Sequence, residues 1–228
     1  MKDKRVRQAL SYAIDRDIIV DNILQGGQTA AYTFTPGATA NFDVPSVEYA
    51  GMSQAERDAK AQELLAEAGV EDLSVELVYN TSESHKKIAI AVSQMWKQKL
   101  GVQTTLANQE WKTFLDTRGN QNYEVARGGW CGDYNEASTF LDLVGSGSGY
   151  NDSKYNSADV DQLLADAKTS NNPQPNYTRI EEIIADDMPL IPIYHYAGNY
   201  MLKSNLKPWP VNNAEQNWYS KDLYKVAD

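Results

Sequence analysis

The segment GGWCGDYN combines the chain's one cysteine, Cys131, with Asp133. Together with the imidazole of His85 these are the residue types of a thiol nucleophile, its orienting acid and its base. If Cys131 and Asp133 continue one strand, however, they lie on the same face, where the carboxylate opposes ionisation of the thiol. The spacing therefore disfavours a cysteine-dependent enzyme, which remains an alternative to a binding site.

The other ligand-type residues are spaced too widely for a metal site. The two histidines, His85 and His195, lie far from each other and from Cys131, and short spacings such as CxxC and HExxH are missing. Neither GxxxxGK[ST] nor GxGxxG follows a predicted strand, which argues against a phosphate-binding loop. We therefore predict neither a metal nor any other cofactor.

Arg127 and Asp133 suit recognition better than catalysis. Arg127 is expected at the end of a strand and Asp133 just beyond it, in the loop where open α/β sheets place their ligands. An arginine and an aspartate at one crevice can hold a ligand with a negative and a positive end, such as an amino acid or a peptide. The alternative is a salt bridge between Arg127 and Asp133 that binds nothing.

Composition narrows the class of partner. The 228 residues carry a formal net charge of -10. Nucleic acids and anionic membranes would repel a chain with this charge, so they are disfavoured as partners. The chain has 14 Tyr and 5 Trp, an aromatic surplus that favours a recognition surface. No apolar run is long enough to span a membrane, and the first residues lack the apolar core of a signal peptide. Taken alone, these first residues indicate a cytoplasmic location.

The candidate residues are positioned by a predicted alternation of strands and helices. The spacing predicts a strand over 73–80, a helix over 82–101 and a second strand over 102–109. A short helix over 110–118 and a strand over 123–130 follow. Such strand–helix–strand units imply right-handed crossovers and parallel pairing, so the predicted class is α/β with a mainly parallel sheet flanked by helices.

The rest of the chain is predicted to be largely helical. The residues SQAE at 53–56 form a capping box, which marks the start of a helix that ends at Gly69. Three Asn-x-Ser/Thr sequons, at Asn80, Asn151 and Asn176, are attributed to chance. The remaining predicted elements are helices over 6–15, 17–24, 135–144, 158–167 and 177–187, a strand over 189–196 and a long loop over 28–51.

Four stretches carry a resemblance to a known family. YEVARGGWCGDYNEASTFL, VRQALSYAIDRDIIV, LVYNTSESHKKIAIAVSQMWKQKLGV and NQEWKTFLDTR closely resemble the C-terminal half of periplasmic oligopeptide-binding proteins of ABC importers. Such proteins clamp an extended peptide between two lobes without chemistry. The resemblance implies that residues 1–200 form the peptide-binding C-terminal lobe and that 201–228 return to a first lobe missing from this sequence.

The resemblance also implies roles for individual residues. Asp133 would bind the free α-amino group of the peptide, and three cations would meet the carboxylates of peptides of different lengths. Those cations are Arg127, Arg118 and His85. The side-chain pockets would be walled by Trp130, Trp111 and Asn80, and the peptide backbone would be held by Gly129 to Cys131.

The same resemblance implies the surroundings of the chain. Its partners would be short peptides, an ABC permease and the missing N-terminal lobe, and its location would be the periplasm, which replaces the cytoplasmic interpretation. A lone cysteine is more often a small buried hydrophobe, but here the resemblance implies a disulfide to a residue upstream of Met1. A murein tripeptide binder belongs to the same group and is the alternative ligand class. Ala137 stands where the family usually has proline.

Overall fold

A computed structural model of the protein describes residues 1–209 and 218–227. Its α-helices are α1 Lys4–Tyr12, α2 Gln54–Glu67, α3 Glu83–Leu100, α4 Trp111–Gly119, α5 Ser138–Leu141, α6 Ala158–Thr169 and α7 Gln174–Asp187. Its strands are β1 Thr29–Ala30, β2 Ser74–Asn80, β3 Gln103–Gln109, β4 Val125–Ala126, β5 Tyr194–His195, β6 Leu206–Lys207 and β7 Tyr224–Lys225. Short 3-10 turns cover Glu48–Ala50, Asp142–Val144 and Ser220–Asp222, and Ile18–Leu24 is a π-helix.

The predicted parallel sheet is confirmed and has the strand order β3–β2–β4. β2 pairs with β3 along its whole length, from Ser74 opposite Gln103 to Asn80 opposite Gln109. On its other side β2 pairs with β4 in parallel, with Val78 opposite Ala126. Because the three strands run in one direction, the residues that follow them emerge at the same edge.

Local sequence signals set several helix ends as expected. The Ser53 hydroxyl caps the Glu56 N–H while the Glu56 carboxylate accepts from the Ser53 N–H, which completes the capping box of α2. α3 ends at Gly101, whose φ of 73° is left-handed and suits glycine. The helix predicted over 17–24 forms with π geometry and ends at Gln25.

Three predicted elements are shorter in the structure. The strand predicted over 123–130 is regular only at β4; the Arg127 N–H still donates to the Val78 carbonyl (2.8 Å), and the two glycines that follow lie outside any strand. The strand predicted over 189–196 is reduced to β5, since two prolines in PLIPIYHY cannot donate to a ladder. The helix predicted over 135–144 begins at Ser138.

The long loop over 28–51 is ordered by contacts with distant parts of the chain. β1 lies inside it and pairs antiparallel with β5. The buried Glu181 carboxylate of α7 accepts from the Phe34 and Thr35 N–H groups at 3.0 and 2.7 Å, and burial raises the pKa of Glu181. The loop is therefore fixed to α7 and β5.

Arg16 joins α1, this loop and the segment before β5. Its side chain is fully buried. The guanidinium donates to the carbonyls of Ala31 (2.8 Å), Pro192 (2.9 Å), Ser11 (3.0 Å) and Ile14 (3.2 Å) and to the Ser11 hydroxyl (2.9 Å). The rings of Tyr32 and Tyr49 lie 5.0 and 5.2 Å from it. Within the described ranges no carboxylate pairs with this charge.

The apolar core has two parts. One packs α1, α2 and α3 against the sheet and includes Trp96, whose indole N–H donates to the Leu10 carbonyl at 2.8 Å. The other lies among α5, α6 and α7 and includes Leu141 and Ile180. Among the described helices none is long and apolar enough to cross a membrane.

Candidate functional site

The carboxyl edge of the sheet gathers several of the predicted residues. β2 ends at Asn80, with His85 following in the first turn of α3, and β3 ends just before Trp111, where α4 begins. β4 ends just before Arg127. The parallel order therefore places these residue types at one edge, where an open α/β sheet usually binds its ligand.

Arg127 is held by its backbone and by a tyrosine that the sequence did not reveal. Its N–H extends the pairing with β2, and its guanidinium donates to the hydroxyl of Tyr196, just beyond β5. Gly129 allows this arrangement, since a Cβ there would lie 2.9 Å from Arg127 Nη2 and 3.0 Å from the Tyr196 oxygen. The partner of Arg127 is thus a neutral phenol rather than an acid.

His85 lies close to Asn80 and is biased towards its neutral form. Its Nδ1 is 2.9 Å from the Asn80 Oδ1, and Asn80 is buried. Partial burial lowers the pKa of His85, and the positive charge of Arg127 lowers it further. His85 is therefore mainly a hydrogen-bonding group near pH 7 rather than a full positive charge.

Asp133 presents an exposed carboxylate. Its backbone N–H donates to the Thr139 hydroxyl at 2.9 Å, which ties the segment to the start of α5. Across residues 1–209 and 218–227 the carboxylate itself makes no hydrogen bond or ion pair, and the alternative salt bridge between Arg127 and Asp133 is not formed. Its neighbour Asn135 accepts from the Ala40 N–H at 2.9 Å, so the long loop touches this segment.

Arg118 has a different environment from Arg127. It lies in the last turn of α4 and forms an ion pair of 2.5 Å with Asp152, a residue that sequence reasoning did not single out. The ring of Tyr150, in the same loop as Asp152, packs on Trp130 with 5.1 Å between ring centres. The loop therefore links Arg118 to the GGWCGDYN segment.

The aromatic and sulfur groups are accessible to different degrees. Trp111 is half exposed and packs against Phe114. Cys131 is a free, exposed cysteine, so the general expectation of a buried hydrophobe is wrong. The same-face argument for Cys131 and Asp133 also fails, because β4 ends before both. The sequons at Asn80 and Asn151 are buried, which agrees with chance occurrence.

A surface concavity away from the carboxyl edge of the sheet is lined by none of the predicted site residues. It measures about 410 Å³ and lies where the carboxyl ends of α2 and α3 meet, next to Gly69 and Lys99. Within the part of the chain that the structure describes, no group of histidine, cysteine and acidic side chains is arranged to hold a metal ion. The candidate site is thus the exposed edge rather than this hollow.

The fold and the edge define a class of protein: one α/β lobe that presents charged and aromatic side chains on an open face. The profile of the bacterial extracellular solute-binding proteins, family 5 Middle, matches residues 1–152. The chain belongs to this family.

Two curated relatives show the extent of the match. The chain is 44% identical over 98% of its length to the periplasmic murein peptide-binding protein MppA of Escherichia coli K12. It is 42% identical, again over 98%, to the periplasmic oligopeptide-binding protein OppA of Salmonella typhimurium LT2. These alignments cover 43% and 42% of the two relatives, so the chain spans less than half of their length.

Solved structures agree with the fold. The structure of the Escherichia coli murein tripeptide binding protein MppA superimposes with a TM-score of 0.92 at 44% identity, covering 99% of this chain and 46% of that one. Haemophilus influenzae OppA in complex with RPPGFSPFR superimposes with a TM-score of 0.88 at 34% identity, with the same coverage. The α/β lobe expected from the sequence is therefore confirmed.

Proposed function

We propose that this chain is the C-terminal lobe of a periplasmic substrate-binding protein that delivers short, extended peptides to an ABC permease. The names of its relatives support the compartment and the ligand class. The protein would bind its ligand without chemical change. The family supports this statement, and so does the position of Cys131, which makes no hydrogen bond with His85 or Asp133 among the described contacts.

One observation carries the proposal: among residues 1–209 and 218–227, neither Asp133 nor Arg127 has a partner of opposite charge. Each is a charged group on the segment that leaves the carboxyl edge of the sheet. A peptide offers an ammonium group and a carboxylate, and charge-assisted bonds to these two ends would compensate both residues. We assign Asp133 to the α-amino group and Arg127 to the carboxylate.

The remaining predicted residues are assigned to the body of the peptide. The segment from Gly129 to Cys131 would form main-chain hydrogen bonds to the peptide, because it continues from β4 and pairs with no strand in the described part of the chain. Trp130, Trp111 and Asn80 would wall the side-chain pockets. His85, with its lowered pKa, would contribute a hydrogen bond to the ligand rather than a permanent charge.

We also propose that residues 201–228 reach the first lobe of the full-length protein. Met201 is fully exposed, and Tyr219 and Tyr224 are more than half exposed, which suits contact with another folded body. β6 and β7 pair with each other here, while residues 210–217 lie outside the described part of the chain. Cys131 would form its disulfide with a cysteine of that same upstream part.

The amino-terminal anchor can be tested in the full-length protein by replacing Asp133 with Asn. The variant keeps the shape of the side chain and removes the charge, so calorimetry with a trialanine ligand should show at least about a tenfold weaker Kd. Asp72→Asn is the matched control, because Asp72 is exposed at the opposite end of β2. Unchanged affinity in Asp133→Asn would contradict the assignment, as would equal binding of N-acetylated and free trialanine by the unmodified protein.

A murein tripeptide is the second candidate ligand, since a relative at 44% identity is named for murein peptide binding. Competition between murein tripeptide and trialanine, measured on the unmodified protein, separates the two. Preference for the murein ligand would make it the main function. A cysteine-dependent activity, in contrast, would be lost in Cys131→Ser while ligand affinity stayed intact.

A further inference from the structure

The two arginines near the site differ in how much charge they offer to a ligand. Arg127 bonds to the neutral hydroxyl of Tyr196, whereas Arg118 bonds to the carboxylate of Asp152 at 2.5 Å. A charged partner cancels most of the field of a guanidinium, and a phenol does not. The site therefore has one compensated and one uncompensated arginine.

The pair between Arg118 and Asp152 is built into the fold. The side chains are only 19% and 25% exposed. The Asp152 carbonyl accepts from the Tyr123 hydroxyl at 2.8 Å and from the Gln121 side chain at 3.1 Å. The guanidinium also lies 5.6 Å from the centre of the buried Phe114 ring. Both partners are thus fixed before any ligand arrives.

The loop that carries Asp152 is itself rigidly organised. Asn151 is 2% exposed, and its amide donates to the carbonyls of Gly145 (3.1 Å) and Tyr155 (2.8 Å). Its oxygen accepts from the Tyr155 N–H at 3.1 Å. A preformed loop pays little additional entropy to hold the carboxylate of Asp152 in place.

The same loop borders the candidate binding segment. Tyr150 packs on Trp130, so Asp152 is attached to the wall of the proposed peptide site rather than to a remote surface. A ligand carboxylate that reached Arg118 would have to displace a carboxylate already bound there. Because the two groups are chemically alike, the exchange gains little and loses the fixed geometry.

We propose, given the peptide-binding function above, that Asp152 is a specificity-determining residue. It occupies Arg118 and thereby directs the carboxylate of the peptide to Arg127. Peptides of a length that would place their carboxylate at Arg118 are therefore disfavoured. The Asp152 carboxylate takes the place of the peptide carboxylate there and so narrows the range of peptide lengths that the site accepts.

The test is a gain of binding in the full-length protein. Calorimetry would compare alanine peptides from the dipeptide to the pentapeptide, each with a free or an amidated carboxyl end, on the unmodified protein and on Asp152→Asn. We expect at least one length with a free carboxylate to bind about tenfold tighter to the variant, while its amide is unchanged. Adding Arg118→Gln to the variant should abolish the gain, and Asp166→Asn, an exposed aspartate on α6, is the control.

A second measurement keeps the proposal open to refutation if Asp152→Asn is poorly folded. In the otherwise unmodified protein, the double variant Arg118→Gln/Asp152→Asn, which removes both charges of the pair at once, should change the affinity for every free peptide by less than about twofold, because the two charges already compensate each other. A loss there as large as that in Arg127→Gln would overturn the proposal, as would an unchanged ratio of free to amidated binding in folded Asp152→Asn. Failure of the unmodified protein to bind any peptide would instead overturn the proposed function on which this inference rests.

Discussion

Two arginines without an acidic partner among the described residues, Arg16 and Arg127, sit in opposite surroundings. Arg16 is fully buried, and its nitrogens reach four carbonyls and a hydroxyl. Arg127 is partly exposed, and its guanidinium donates to the Tyr196 hydroxyl. A buried arginine that donates to several backbone carbonyls stabilises the fold, whereas a partly exposed arginine can still be reached from solvent.

The two arginines are also connected. Arg16 holds the Pro192 carbonyl, and β5 begins two residues later and leads directly to Tyr196, the partner of Arg127. Arg16 therefore fixes the segment that carries Tyr196, and Tyr196 in turn orients Arg127. The following experiments separate the part that each plays.

The largest effect is expected from Arg16→Met. Methionine fills part of the volume but leaves several buried carbonyls without donors, so the free energy of unfolding should fall by about 4 kcal/mol or more. Urea unfolding of the full-length protein, followed by circular dichroism, measures this. Arg179→Met, which removes an exposed ion pair with Glu182 on α7, should change it by less than about 1 kcal/mol. Similar losses in the two variants would contradict a central role for Arg16.

Arg127→Met should show the reverse pattern. The free energy of unfolding should change by less than about 1 kcal/mol, because the backbone bond to Val78 is kept. The affinity for trialanine should fall about tenfold, while that for its amide changes little. Calorimetry on the same preparation used for unfolding makes the comparison direct. A large loss of stability without a loss of affinity would remove the distinction between the two arginines.

A smaller effect concerns pH. Burial lowers the pKa of His195, and burial followed by the charge of Arg127 lowers that of His85, from an ordinary value of 6.5. As the pH falls through 6.5 towards the folded pKa values, the unfolded chain takes up protons that the folded chain refuses, so stability decreases. Above pH 6.5 both histidines are mainly neutral in the folded and the unfolded chain, so they no longer make the stability depend on pH.

The free energy of unfolding is measured at pH 7.5 and 5.5 in the unmodified protein, in His85→Gln and in His195→Gln. The difference between each variant and the unmodified protein gives the contribution of that histidine. Each variant should lose less stability on acidification than the unmodified protein. Combining Arg127→Met with these variants should reduce the part due to His85 and leave that due to His195. An equal effect on both histidines would show that Arg127 does not act through proximity to His85.

Gly129→Ala should have the smallest effect. The new methyl group would press on the ends of the Arg127 and Tyr196 side chains, which can shift, so affinity should fall only about twofold to threefold with little change in stability. Gly147→Ala is the control, since a Cβ there meets nothing within 4 Å. A fall as large as that of Arg127→Met would indicate that the guanidinium must be held in one position.

The secondary-structure elements that depend on residues close together in sequence were predicted best. β2, α3, β3 and the capped start of α2 follow from hydrophobic period and capping residues, and all were confirmed. β4 and β5 came out shorter than predicted because glycines and prolines, rather than apolar alternation, decide where pairing stops.

Long-range partners were missed for a physical reason. Tyr196 reaches Arg127 only through the pairing of β5 with β1, and Asp152 reaches Arg118 through a loop held by Asn151. No spacing in the sequence signals either contact. The roles of Asp133, Arg127 and the other assigned residues therefore remain predictions that binding measurements have to decide.

The strand order has a consequence for how the lobe is made. β2 and β3 are joined by one helix and pair over their full length, while β4 arrives one helix later and pairs through only two residues. Contacts that are close in sequence and extensive form early, and short, distant ones form late. A newly synthesised chain should therefore pair β2 with β3 before β4 joins the sheet and anchors Arg127, and hydrogen exchange at the Arg127 amide should report that order.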